Sequence, residues 1–394
     1  MDILTHDTID SWLSDLRGPT ALHYKQILVP VEGEGAVIFP PTYAAGEKKS
    51  PYSQSTINRG ATTVVQIDSV GSQANRMEPI FRKDDDGREN TFASLVPQIG
   101  IEAGGKVHSL LDAGHRLADA FVRSSTFAKK ADLIFADILT NGDAESCAKF
   151  APTTLLFGAW DSRGNNAKVP RIISSEIRGW DIDVLTRSAQ YVPAADYAKL
   201  GLLNDKQKEE TESDAQGKNK YAVRGFAHQP AVDKPGGVVV RDRIERNVTI
   251  NLVALRNLGS TKNGAALRQY ILGLALVAAT APQDGFLRQG CLLVPRDNAT
   301  HWALVERTGV RITIGLNEKV ALSYARASAE AFGVGPDEVG DFDLDLAKDD
   351  LVKKDSKKKP GDAESGDDSS ESETSEIKSR LDRSSSKTSG SKVA

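Results

Sequence analysis

The stretch IDSVGSQANRMEPIF, residues 67–81, starts as an apolar strand, bends at Gly71 and then offers Ser72, Gln73, Asn75 and Arg76 within five positions. Set on the first turn of a helix, these side chains would stand beside unpaired backbone N–H groups and the positive end of the peptide dipoles. That arrangement suits a phosphate. A second group of donors runs through WDSRGNNAKVPRIISSEIRGWDIDVLTRSAQY. Arg163, Lys168, Arg171, Arg178 and Arg187 are interleaved there with Trp160, Trp180 and Tyr191, and Gly164 and Asn165 supply turn geometry. Guanidinium groups fork onto phosphate oxygens and flat rings stack on splayed bases, so the combination predicts a single-stranded nucleic acid as ligand. The plainer reading sets the tryptophans in the core and pairs the arginines with Asp161, Glu176, Asp181 and Asp183. A weaker group, Arg224, Arg241, Arg243 and Arg246, lies beside a polar insertion and is extended by Lys218 and Lys220.

Signals for catalysis are poor by comparison. In LLDAGHRLADA, Asp112, His115 and Asp119 are spaced by three and four, which would put them on one helical face as a general base or metal site. The wet side of any amphipathic helix has the same pattern. Asp84, Asp85 and Asp86 are flanked by Arg82, Lys83 and Arg88 and read as a solvated turn. GSTKNG, residues 259–264, spaces its glycines like a phosphate loop, but Ala265 and Ala266 follow where Lys and Ser or Thr are needed. GEGAVIF lacks the third glycine of a dinucleotide loop. No Gly-x-Ser-x-Gly elbow or paired-histidine zinc motif is present. Cys147 and Cys291, far apart among apolar or small residues, read as reduced packing residues. No catalytic residue, metal or cofactor is therefore expected.

The chain has 394 residues and a formal net charge of −4. From Asp341 onward 14 acidic and 11 basic residues accumulate, which leaves the rest within one charge of neutral. A neutral body excludes coating of nucleic acid through overall charge, but not a local basic stripe. The first residues, MDILTHDTIDSWLSDL, carry early acids and no continuous apolar run, so no export signal is expected. The longest uncharged stretch, Gln269 to Gln283, falls short of the roughly 18 residues of a membrane span. No membrane association is expected, and a reducing cytoplasm is the default location.

These candidates need elements to position them. Thr5 or Asp7 would cap a helix through Leu16, with Ile9, Trp12 and Leu16 on one face, inside an N-terminal segment 1–20. Residues 21–44 alternate as a strand up to Val31, turn through Gly33 and Gly35, and resume at AVIF, as a hairpin or a strand entering a loop. A polar insertion covers about 40–66. VHSLLDAGHRLADAFVRSS has the apolar spacing of an amphipathic helix, Ala131–Phe150 reads as a helix interrupted near Asn141 and Gly142, and TTLLFGAW reads as a buried strand. The second insertion, about 204–237, begins with an apolar-free run that predicts an exposed loop. GGVVVRDRIERNVTINLVAL resumes strand character, AALRQYILGLALVAATA is a strong helix, and CLLVP with HWALVE suggests a final hairpin. Residues 347–394 have the composition of a disordered tail. The order of strands and helices predicts an α+β fold compatible with an RNA-recognition-motif-like (ferredoxin-like) core with large insertions.

ALHYKQILVPVEGEGAVIFPPTYA, IDSVGSQANRMEPIF, LLDAGHRLADAFVRSS and APTTLLFGAWDSRGNNAKVPRIISSEIRGWDIDVLTRSAQY together resemble the Csb-type backbone subunit of the type I-G CRISPR Cascade complex, formerly type I-U, within the Cas-seven family. The resemblance covers most of residues 20–345. It implies an RNA-recognition-like domain over 21–346, many copies of which would stack head to tail along one CRISPR guide RNA. A projecting thumb would kink the guide and leave its bases free to pair with target DNA; the insertion 204–237 is the candidate. Other Cascade subunits would be neighbours, and a separate helicase-nuclease would be recruited to cut. The resemblance places guide phosphates at Ser72, Gln73, Asn75 and Arg76 and at Arg163, Lys168, Arg171 and Arg178. The rival expectation is a metal-dependent ribonuclease, as in related type III subunits, with Asp84, Asp86 and Asp112 as suspects.

Overall fold

A computed structural model describes residues 4–44, 50–83, 90–212, 220–260 and 262–355. The chain divides into a body, Met1–Asp343, and a C-terminal unit from Leu344. The body opens on α1 (His6–Ser14), capped by the Thr5 side chain, which accepts from the Thr8 amide, with Ile9, Trp12 and Leu13 buried. Leu16, expected on that face, is 74% exposed because the helix stops two residues earlier. β1 (Ala21–Pro30) buries Leu22, Tyr24 and Leu28 in the period of two that a half-covered strand requires. Gly33 and Gly35 turn the chain at φ +107° and +78°. β2 (Val37–Ile38) then pairs with a later strand and not with β1, so this segment is a strand entering a loop.

Within the expected insertion at 40–66, β3 (Gln54–Ile57) and β4 (Thr62–Asp68) form an antiparallel hairpin; residues 45–49 lie outside the described residues. α2 (Val70–Met77) starts directly after β4, with Ser69 as its cap. The largest departure from expectation is at Val107–Ser125, which is not one helix. It comprises the end of β6 (Lys106–Ser109), antiparallel to β5 (Ile99–Ala103), two 3-10 turns at Leu110–Asp112 and Arg116–Ala118, and the short α3 (Ala120–Arg123). Two local effects override the apolar spacing. Gly104 and Gly105, both at positive φ, form the two-residue turn that favours a hairpin. The side chains of Ser109 and Asp119 accept from the Leu111 and Phe121 amides and restart the chain twice.

α4 (Ala128–Asn141) and α5 (Glu145–Phe150) realise the interrupted helix, with Gly142 at φ +62° ending the first half. TTLLFGAW is a correction: most of it is α6 (Pro152–Phe157), wholly buried and begun by Pro152 at its first position. An apolar run without a period does not separate a buried helix from a buried strand. β7 (Ala159–Trp160) and β8 (Lys168–Val169) form a small hairpin. The two longest strands follow, β9 (Ile173–Tyr191) and β10 (Gln229–Asn251), with α7 (Asp205–Glu212) and α8 (Lys220–Val223) between them where a loop was expected. The chain continues through α9 (Leu252–Arg256), α10 (Gly264–Thr280), β11 (Phe286–Arg288), β12 (Cys291–Val305), β13 (Arg311–Ile314), α11 (Glu318–Phe332) and β14 (Glu338–Asp341). CLLVP and HWALV belong to β12 and pair with the same neighbour, β1, across a register shift between Gln26 and Leu28; they are not a hairpin. The C-terminal unit is helical at α12 (Leu344–Asp355), and residues 356–394 of the expected tail lie outside the described residues.

The fold is mixed α and β, as expected. Among the described residues the main sheet has nine strands, ordered β11-β12-β1-β10-β9-β4-β3, with β13 beside β12 and β2 beside β10, and every pair antiparallel. Leu22, Tyr24, Ser175, Ile177, Ile244, Arg246 and Val248 share the buried phase of their strands, and Lys25, Glu176, Arg178 and Arg243 take the opposite one. α10 is buried nearly from end to end. Its Tyr270 hydroxyl donates to the Leu95 carbonyl at 2.8 Å and its ring stacks on Phe332 at 4.8 Å. Gly273 lets α11 approach, since a Cβ there would meet Ser328 Oγ at 2.6 Å and Ala325 Cα at 2.8 Å. Past Val238 the β9–β10 pair runs on as a two-stranded ribbon from Thr186↔Pro235 to Tyr191↔Gln229, with the described residues 192–212 and 220–228 following at its end. At the tip, Tyr197 and Phe226 meet edge to face at 5.1 Å.

Candidate nucleic-acid interface

The start of α2 is positioned by an apolar strand, β4, that ends on a buried acid. Asp68 is fully buried and collects Gln73 Nε2 at 2.7 Å, Arg76 Nε at 2.9 Å and Arg288 Nη2 at 3.3 Å. Gln73 is 2% exposed, and its Oε1 accepts from Ser175 Oγ at 2.7 Å and from Arg246 Nε at 3.2 Å. Both ends of its amide are therefore engaged within the protein. Arg76 also donates from Nη2 to the Leu287 carbonyl at 2.7 Å. Ser72 gives its amide to the cap Ser69, and Asn75 alone of the four is well exposed. The donors expected to meet a ligand are in large part knitted into the junction of β4, β9 and β10.

Asn75 leads to a residue that sequence reasoning missed. Arg116, 4% exposed and held at φ +54°, reaches from Nη2 towards Asn75 Oδ1 at 3.4 Å, donates from Nη1 to the Gly158 carbonyl at 3.2 Å and pairs with the buried Glu78 at 2.8 Å. Burial pushes the Glu78 carboxyl up to about 7 against the pull of Arg116. The adjoining Arg171 donates from Nε to the Phe157 carbonyl at 2.9 Å and is exposed. Trp160 faces Lys168 across the β7–β8 pair, with the ammonium 5.2 Å from the ring centre and the indole 54% exposed. Arg163 is exposed on the loop between these strands, which the buried Asp161 organises by accepting from the Gly164 and Asn165 amides. Asn75, Arg116 and Arg171 thus gather around the Phe157–Gly158 turn, and Trp160, Arg163 and Lys168 continue from it along one hairpin. The reading of Trp160 as a core residue does not hold.

The remaining arginines divide by their partners. On the outward phase of the sheet Arg178 pairs with Glu176 at 2.9 Å, Arg241 with Asp183 at 2.6 Å, and Arg243 with Glu245 at 2.9 Å as well as with Asp242. Arg243 also covers the Trp180 ring at 4.7 Å. Burial raises the Glu245 carboxyl, but hydrogen bonds from Lys25, Arg243 and Asn247 outweigh it and hold the group down at about 2. For Arg178 the plain reading, acid pairing, describes the geometry, and Arg241 and Arg243 are paired in the same manner. Arg187 lies on the ribbon with its guanidinium 5.7 Å from the Phe39 ring, and Arg224 is exposed at the ribbon's end. Among the described residues Arg163, Lys168, Arg171, Arg187 and Arg224 have no carboxylate partner. Lys218 lies outside the described residues.

The described members of the acidic candidates are engaged separately. Asp112 pairs with Arg82 at 2.7 Å, and His115 sits 3.6 Å from Asp119 in the broken segment, which presents no common helical face. Asp84, Asp85 and Asp86 lie outside the described residues. Among the described residues no group of three or more His, Cys, Asp or Glu side chains is arranged to hold a metal ion. Cys147 and Cys291 are buried and free, their thiols pushed up by burial to about 12 and about 11. No helix among the described residues is long and apolar enough to cross a membrane. Residues 22–184, less than half of the chain, match the model of a family described as CRISPR-associated protein GSU0053. The match spans α2, the Phe157–Gly158 turn and the β7–β8 hairpin, and it supports a CRISPR-associated protein with a role in CRISPR defence. No curated protein matches the chain.

Proposed function

We propose, on the premise of that CRISPR-associated match, that the chain is a non-catalytic guide-RNA-binding backbone subunit of a type I-G Cascade complex. Copies of it would stack head to tail along one guide in the cytoplasm beside the other Cascade subunits. The observation that carries the proposal is the set of exposed cations without carboxylate partners, Arg163, Lys168 and Arg171, gathered beside the exposed Trp160. Cations left uncompensated can exchange bound counterions for RNA phosphates, and an exposed indole gives a base or sugar a flat platform. Contacts of this kind are blind to sequence, as a subunit that leaves guide bases free for target DNA requires.

Two features of the fold add support. With β1, β9, β10 and β12 taken as strands one to four, their order in the sheet is four-one-three-two, with helices between the first and second and between the third and fourth; a ferredoxin-like core has this arrangement. The ribbon beyond Val238 has the form of a projecting thumb, which would start near Thr186 and end near Pro235, wider than the 204–237 read from composition. The test is the salt dependence of RNA binding. Arg163→Ala, Lys168→Ala and Arg171→Ala combined should flatten the slope of log affinity against log salt by about 2 for a single strand. An unchanged slope contradicts the site. Metal-dependent cleavage of matched RNA that is lost in Asp112→Ala contradicts the non-catalytic reading.

A further inference from the structure

Between the core-facing side of the sheet and the chain that leaves α10 lies a cavity of about 320 Å³, entered by Tyr24, Gln26, Arg76, Arg246, Gln283 and Leu287. Arg246 is out of character for its position. It takes the buried phase of β10 between Ile244 and Val248 and is itself 4% exposed. Its Nε donates to Gln73 Oε1 and Ser175 Oγ, each at 3.2 Å, and its Nη2 lies 3.6 Å from Met77 Sδ. Among the described residues no carboxylate pairs with it and its Nη1 has no acceptor. Burial lowers its pKa to about 10.

Arg76 reaches the same cavity. Its Nε and Nη2 are committed to Asp68 and to the Leu287 carbonyl, which leaves its Nη1 over. Gln283 Nε2 is a buried donor without an acceptor. In local charge, Arg76, Arg246 and Arg288 face the buried Asp68 and the exposed Asp284, an excess of one positive charge. An isolated charge taken out of water is costly until an anion joins it. The rest of the wall is apolar, with Ile177, Leu287, Leu293 and Pro295, and the volume is at the lower end of the range of small-ligand pockets, about 300–1,000 Å³.

We propose that this cavity binds a nucleoside monophosphate unit, its phosphate on Arg246 and Arg76 and its base against the apolar wall. The inference deepens the RNA-binding reading and rests on it for the choice of a nucleotide among phosphate esters. The unit is either a free nucleotide or one nucleotide of the bound RNA. Thermal unfolding of the full chain with AMP, adenosine or inorganic phosphate tests it. AMP at about 10 mM should raise Tm by about 2 °C, and adenosine and inorganic phosphate should each do much less. Arg246→Met should lose the AMP response without lowering the Tm of the free protein, because it removes an unpaired buried charge. Arg246→Lys, which keeps the charge but not the fork, should retain less than half of the response. No AMP-specific rise in the wild type, or an undiminished rise in both variants, overturns the proposal, as does inorganic phosphate matching AMP. AMP that competes with single-stranded RNA in the wild type, with RNA affinity lost in Arg246→Lys, identifies the bound RNA as the source. Unchanged RNA affinity beside a lost AMP response identifies the free nucleotide. Failure of the RNA-binding reading is seen separately, since the Arg163, Lys168 and Arg171 substitutions should leave the AMP response intact.

Discussion

Arginines of similar appearance in the sequence take three different roles, and the identity of the partner decides which. Arg178, Arg241 and Arg243 are held by acids on the outward phase of the sheet; for the exposed pairs Arg178–Glu176 and Arg241–Asp183, removing either charge alters stability by less than about 1 kcal/mol. Arg116 is buried with Glu78, and there the asymmetry is severe. Glu78→Ala leaves a guanidinium in the core without its counter-charge and should cost about 3–5 kcal/mol, measurable as a lowered urea midpoint. Among the described residues Arg163, Lys168 and Arg171 hold no acid. A single alanine substitution among them should leave the urea midpoint in place and weaken RNA binding equally for guides of any sequence. Sequence reasoning grouped these exposed residues together because alternating cations and aromatics within one short hairpin are visible without a fold. It missed Arg116, whose significance depends on a left-handed turn that brings it to Asn75. It also undervalued Arg246, although Ile244 and Val248 two positions to either side do mark the buried phase of a strand.

At the scale of elements, long periodic segments were legible and short competing signals were not. α10 and the strand run ending at Asn251 keep a long apolar pattern, and the α4–α5 pair keeps it on both sides of the Asn141–Gly142 break that the sequence itself marks. Val107–Ser125 has the pattern too, but Gly104–Gly105 and the caps Ser109 and Asp119 break it before a helix can propagate. Substituting Gly105 with Val should therefore weaken the β5–β6 hairpin and lower stability by about 1 kcal/mol or more, since a β-branched residue resists φ +77°. The outward face of the sheet carries a pH signature of definite sign. Glu245 is held at about 2 against an ordinary 4.5, so its contribution is fully present above pH 4.5 and is lost as pH falls from there towards 2. The loss should be on the order of 3 kcal/mol, and Glu245→Gln should abolish that part of the acid-unfolding profile.

For the molecule as a whole, the neutral body becomes intelligible once charge is assigned to places. Acid-paired arginines neutralise one side of the sheet, and Arg163, Lys168, Arg171, Arg187 and Arg224, without carboxylate partners among the described residues, lie on the β7–β8 hairpin, its approaches and the ribbon. The proposed filament needs this division, because surfaces that meet a neighbouring copy must not repel it and the surface that meets RNA must attract phosphate. Replacing residues 192–228 with a short turn should leave a folded protein that binds RNA but no longer assembles into long filaments, as judged by electron microscopy. The account is tested most directly by ultraviolet crosslinking of the RNA-loaded assembly followed by mass spectrometry of the crosslinked peptides. It predicts crosslinks concentrated in peptides containing Trp160, Lys168 and Arg171, repeated in every copy and insensitive to guide sequence. Crosslinks confined to the acid-paired face around Arg178 and Arg243, with none at Trp160, would contradict it.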